Sequence, residues 1–230
     1  MLIGVDGCRG GWLAVMQRKR EQPVAFVAST IVDLIAQVPQ SGFIGIDIPI
    51  GLPNAGPRTC DLEARQRLKK PRSNSVFSAP IRPCLRASSY EEASKIRYKI
   101  EGKKMSLQAF GILRKVSEVD EALRAKPQLA RRVIEVHPEA SFAEWNGGKA
   151  LRYAKRKADG KRERADLIQR VWPGVVEGLR ASLSGQDYVL DDLHDAFAAL
   201  WTIGRYARGS ARELGGCARD SEGLPTRIVA

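Results

Sequence analysis

Closely spaced cysteine pairs are missing from this sequence. Cys8, Cys60, Cys84 and Cys217 are scattered, without the spacing that zinc sites and redox motifs use, so free thiols acting as small apolar fillers are expected. Long hydrophobic runs are missing too. Charges interrupt every apolar stretch before the roughly 18 residues that a spanning helix requires, which excludes a helical membrane protein. The N-terminal residues Leu2 to Asp6 have neither the basic start nor the apolar core of a secretory leader, so a cytoplasmic location and no membrane partner are expected. No low-complexity tract or internal repeat stands out, and no Gly-x-x-x-x-Gly-Lys-Ser/Thr loop is present.

What remains is an ordinary globular composition carrying an uneven charge. At 230 residues, with 43% hydrophobic and 28% charged side chains, the chain suits one domain. Its formal net charge is +12, which suits a polyanionic partner. Residues 54–115 hold 15 basic and 5 acidic side chains, and residues 149–164 hold 8 and 2. The rest of the chain is therefore slightly acidic, and the excess forms a patch. Lys69, Lys70, Arg72, Arg97, Lys99, Lys103 and Lys104, with Arg9 in the first turn, are candidate contacts to nucleic acid, DNA or RNA. Contacts of that kind bind phosphate in a salt-sensitive way and do not read sequence. A solvated basic face is the competing reading of the same residues.

The apolar pattern predicts an α/β fold. Leu2 to Val5 and Trp12 to Met16 read as a hairpin around Gly7-Cys8-Arg9-Gly10-Gly11, and Pro23 to Ser29 as a third strand. Ile31 to Val38 has helical spacing, and Gly42 to Ile48 reads as a buried parallel strand stopped by Pro49 and Pro53. Residues 54–126, with helical patterns over 62–70 and 90–100, read as an inserted, basic, mostly helical subdomain. Arg131 to His137 returns to a strand ended by Pro138, and Lys161 to Leu183 and Asp191 to Arg208 read as helices. On the last of these, Leu193, Phe197, Leu200 and Gly204 share one face, while Asp192, Asp195 and Ala199 share the next.

Aspartate inside apolar strands needs a reason. Asp6 and Asp47 occupy matching places at the carboxyl ends of two such strands, where an unpaired buried carboxylate costs several kcal/mol. Ligands of open α/β sheets gather at those strand ends. With Asp195, and Asp192 as an accessory, the two could form an oxygen cage suited to Mg²⁺ or Mn²⁺. Turn chemistry at Asp6 and helix capping at Asp192 are the plainer alternatives. Glu135 and His137 share a strand face and could join the same cleft as catalytic groups. The only other histidine, His194, also lies beside acids.

The motifs GVDGCRGGW, GIDIPIGLP, Ser75 to Pro80 (SVFSAP), EVHPE and DDLHDAFAAL stand in this order. Together they resemble an uncharacterised bacterial and archaeal family of predicted ribonuclease H-like nucleases, from Gly4 to about Gly209. Within that superfamily the pattern is most similar to Holliday-junction resolvases. The resemblance implies a ribonuclease H-like mixed sheet flanked by helices, with Asp6 as first-strand ligand, Asp47 as fourth-strand ligand and Asp195 as last-helix ligand. It also implies metal-dependent phosphodiester hydrolysis. The basic insertion after the fourth strand is not a resolvase feature. A non-catalytic nucleic-acid-binding module and an actin-like or sugar-kinase-type phosphotransferase are the alternatives, and a homodimer is left open.

Overall fold

The computed structural model describes residues 1–19 and 21–230. Strands β1 (Leu2–Cys8), β2 (Gly11–Gln17), β3 (Val24–Ala28), β4 (Phe43–Ile46) and β5 (Val133–Glu135) form one sheet in the order β3-β2-β1-β4-β5. The first three pair antiparallel as a meander, while β4 joins β1, and β5 joins β4, in parallel. The predicted mixed sheet is therefore present, with β1 and β2 longer than expected and β3, β4 and β5 shorter. Tight turning at Arg9-Gly10 leaves Gly7 and Cys8 in β1, and Gly11 begins β2 at φ +127°, where a Cβ would stand 2.2 Å from the Ala28 carbonyl oxygen.

Helices cover both faces of the sheet. On one side Ile3, Val5 and Trp12 pack with Ile31 and Leu34 of α1 (Ile31–Gln37) and with Val116, Val119 and Leu123 of α5 (Leu113–Ala125). On the other side Leu13 and Val15 meet Phe197 and Leu200 of α9 (Leu190–Ala207) and Leu179 of α8 (Val175–Ser182). Each buried side chain of this size contributes roughly 1.5–3 kcal/mol before entropy is counted. A third cluster sits inside residues 54–126, where Ile81, Cys84, Ala93 and Met105 join α3 (Tyr90–Glu101) to α4 (Leu107–Gly111). Helix α2 (Thr59–Leu68) packs through Cys60 and Leu68 on Leu214 and Ile228, from strands β6 (Glu213–Leu214) and β7 (Ile228–Val229). These last two strands carry no signal in the sequence analysis. No described helix is long and apolar enough to cross a membrane.

Two further departures concern a break in a helix and the end of β4. The helix predicted over 161–183 is two helices, α7 (Ala158–Val171) and α8, because Pro173 lacks the N–H a continuing helix needs and Gly174 turns at φ +69°. Strand β4 ends at Ile46, so Asp47 stands just outside it, although its N–H still donates to the Val5 carbonyl at 3.0 Å.

Glycine decides how closely α9 lies on the sheet. A Cβ on Gly4 would fall 2.1 Å from the Ala196 carbonyl oxygen and 2.3 Å from the Leu200 nitrogen, and one on Gly45 3.0 Å from the Ala199 carbonyl oxygen. Small residues on β1 and β4 thus let the helix backbone rest on the strands. Gly4→Ala is expected to push α9 outward and to cost at least about 1–3 kcal/mol, read as a lower urea midpoint. An unchanged midpoint would show that the helix has slack there.

Candidate metal centre

The same stripes of the sheet place the acids. Side chains alternate along a strand, so Asp6 shares the α9 face with Gly4, and Asp47 continues the line begun by Gly45. Parallel pairing of Val5 with Ile46 sets Asp6 and Asp47 side by side at the carboxyl ends of β1 and β4. On α9, Asp195 lies one turn before Ala199, on the helix edge that rests over Gly45. The three carboxylates consequently converge, with one oxygen of each within 4.8 Å of the others. Asp6 and Asp195 are buried at 8% and 2% exposure, and Asp47 is half-buried.

Three carboxylates in one place repel one another unless protons or a cation neutralise them. Burial, with Asp47 and Asp195 adding to it, holds the Asp6 carboxyl well above the usual carboxylate range. Burial and then Asp195 push Asp47 up to about 8. Lys155 donates to Asp195 at 2.6 Å and is itself held above its usual range, mainly by that carboxylate. One ammonium against three carboxylates leaves two charges uncompensated, which matches a divalent ion, and an all-oxygen set suits a hard cation. Asp6, Asp47 and Asp195 could therefore hold a metal ion.

These shifts predict an unusual dependence of stability on pH. Asp47 titrates near 8 when folded and near 3.9 when unfolded, so between those values the native state keeps a proton that the unfolded chain has released. Stability contributed by this group is greatest at the acid end of that window and declines as pH rises through it. Asp6 acts in the same direction. Metal-free protein is expected to lose about 2 kcal/mol between roughly pH 5 and pH 8, a figure reduced for screening by cleft water. Mg²⁺ or Mn²⁺ should restore the loss, and thermal unfolding at both pH values, with and without the ion, measures it.

The other predicted acids have partners. Asp192 accepts the Val189 N–H at 2.9 Å at the start of α9; it faces the cluster closely enough to raise Asp6 but is not among the converging three. Glu135, at the end of β5, is gripped at both oxygens by Arg58, with distances of 2.6 and 2.7 Å, and accepts the Ile50 N–H at 2.7 Å. Arg58 also bonds Asp61 at 2.6 Å. Loss of hydration works against the buried guanidinium, yet Glu135 and Asp61 more than offset it and keep it charged. Glu139, at the start of α6 (Pro138–Trp145), bonds Arg164.

Arg58, Asp61, Glu135 and Glu139 border a cleft of about 1090 Å³, with the triad among its walls, whereas Asp192 and Arg164 do not line it. His137 lines it and keeps a buried Nδ1 without a partner, while burial lowers its pKa. His194 is fully buried, points neither ring nitrogen at a partner, and is pushed down to about 4 by burial. Of the predicted basic contacts, Arg72, Arg97, Lys103 and Lys104 line the cleft. The Arg97 guanidinium is already bonded to Glu101 at 2.6 Å. Lys69 and Lys70 border a shallower hollow that shares Asn74 and Val76 with the cleft, and Arg9 and Lys99 are exposed elsewhere. Sequence reasoning missed Lys115, Lys155 and Arg156, which also line the cleft. The basic excess over 149–164 was the one signal for the last two, and nothing in the sequence singled out Arg58 or Asp61.

Residues 4–219, nearly the whole chain, match one family model, described as Protein of unknown function (DUF429). The chain belongs to this family. No curated protein and no solved structure matches it.

Proposed function

We propose that this DUF429 protein is a metal-dependent nuclease of the ribonuclease H-like type, hydrolysing phosphodiester bonds of nucleic acid with Mg²⁺ or Mn²⁺. The observation that carries this reading is the meeting of Asp6, Asp47 and Asp195 from β1, the end of β4 and α9. First strand, fourth strand and last long helix are the three places from which resolvase-like enzymes supply their ligands, and the flanking cleft is lined by basic side chains, as a polyanionic substrate requires.

Each residue has a task in such a reaction. Asp6, Asp47 and Asp195 hold the ion or ions, which when bound supply a nucleophilic water at neutral pH and stabilise the leaving oxygen. Lys155 fixes the Asp195 carboxylate and places positive charge beside the reacting phosphate. His137 lines the cleft wall, and burial lowers its pKa, which favours the neutral ring near pH 7. Arg58 holds the turn that follows Asp47 by bonding the Ile50 carbonyl at 3.0 Å, which makes Glu135 a support for that turn.

Incubation with labelled DNA and RNA tests the reading. Cleavage that requires Mn²⁺ or Mg²⁺ and stops on chelation is expected. If no nucleic acid is cut, and neither ion raises the unfolding temperature, the proposal is wrong.

A further inference from the structure

The cleft also bears on which form of nucleic acid reaches the acids. We infer that its occupant is a short single-stranded stretch of DNA or RNA, not a duplex or a four-way junction; the inference rests on the hydrolytic reading above. The first ground is depth. Asp6 is 8% and Asp195 2% exposed, so the scissile phosphate must descend into the cleft to reach them. Duplex DNA is stiff over about 50 nm and carries its phosphates on a wide, paired rod, whereas a single strand can follow a curved wall.

Size is the second ground. About 1090 Å³ lies just above the roughly 300–1,000 Å³ of pockets that enclose a small ligand, enough for a few nucleotides. The third is chemistry. Arg72, Lys103, Lys104 and Arg156 reach the cleft from three separate segments of chain, and Phe77, half-buried, lines it between Val76 and Ser78. Cationic side chains that track a backbone, together with an aromatic ring on which a base can stack, are the means by which proteins hold unpaired strands. Phe77 also lies in the SVFSAP motif, for which the metal site has no use.

Fluorescence anisotropy on the full chain without divalent ions separates this inference from catalysis. The probes are a labelled octanucleotide as DNA and as RNA, the corresponding duplex, a four-way junction and a mononucleotide. Either octanucleotide is expected to bind at least about tenfold tighter than the duplex, the junction or the mononucleotide. Phe77 also packs on the cluster of Ile81, Cys84 and Met105, and Phe77→Leu keeps an apolar side chain there while removing the ring, so it should lower the unfolding temperature only slightly while weakening octanucleotide binding about tenfold. Equal or tighter binding of duplex or junction, mononucleotide binding as tight as the octamer, or an unaffected Phe77→Leu protein would overturn the inference. Preference for the single strand without cleavage of any probe in Mn²⁺ would instead overturn the hydrolytic reading and leave the occupant standing.

Discussion

Asp47→Asn is expected to lower metal-dependent hydrolysis at least about a thousandfold, the equivalent of roughly 4 kcal/mol of transition-state stabilisation. The reason is the crowding of charge: burial first, and then repulsion from Asp195, raises the carboxyl of Asp47 to about 8. An amide offers one oxygen and no charge, so two carboxylates and Lys155 remain, and the demand for a divalent ion falls by half. The apo protein should respond in the opposite sense. Asp47 is the least buried of the three and lies outside β4, so its amide is accommodated without disturbing the sheet. Removal of one of three neighbouring charges should raise the metal-free unfolding temperature at pH 8 and abolish the gain otherwise seen on adding Mn²⁺. Full activity in Asp47→Asn would show that this cluster is not where the chemistry occurs.

Arg58→Met is expected to cost about 3–5 kcal/mol, because it strands Glu135 and Asp61 as buried carboxylates without a counter-charge. The guanidinium is 3% exposed, bonds both acids at 2.6 Å, and also holds the Ile50 carbonyl. Urea unfolding measures the loss. A triple change, with Asp61→Leu and Glu135→Leu added, removes the stranded charges and should recover most of it, since apolar replacements of a buried ion cluster are often near neutral. If Arg58→Met alone were neutral, the two acids would have to find other donors, and the turn after Asp47 would be held by something else. A folded Glu135→Gln protein completes the comparison: a supporting role lowers stability ahead of rate, whereas a catalytic one lowers rate at an unchanged unfolding temperature.

The site was more legible in the sequence than the residues around it. An aspartate at the end of an apolar run is costly wherever it lies, so Asp6 and Asp47 stand out from local composition alone. Asp195 follows from helical spacing, since it shares an edge with Ala199 while Leu193, Phe197 and Leu200 form the packing face. Asp192 looks equivalent on a helical wheel, but its carboxylate accepts the Val189 N–H at the first turn. Capping and ligation ask for the same residue type a few positions apart, and periodicity cannot separate them. Glu135 and His137 share a strand face by the two-residue rule, yet Glu135 is held at both oxygens by Arg58 while His137 keeps an Nδ1 without a partner. The partner, Arg58, lies 77 residues away in sequence.

Local chemistry in the chain was sufficient for the meander, the parallel fourth strand, the long last helix and two strand-end acids, because each depends on near neighbours and on the cost of burying charge. Pairing across long distances was decided by the tertiary structure: Lys155 with Asp195, Arg58 with Glu135, and basic residues of three segments around one cleft. Such contacts come from the register of β1 against β4 and from glycines that let α9 touch the sheet. Neither leaves a periodic trace in the sequence, since a salt bridge is defined by where two side chains arrive and not by what stands beside them.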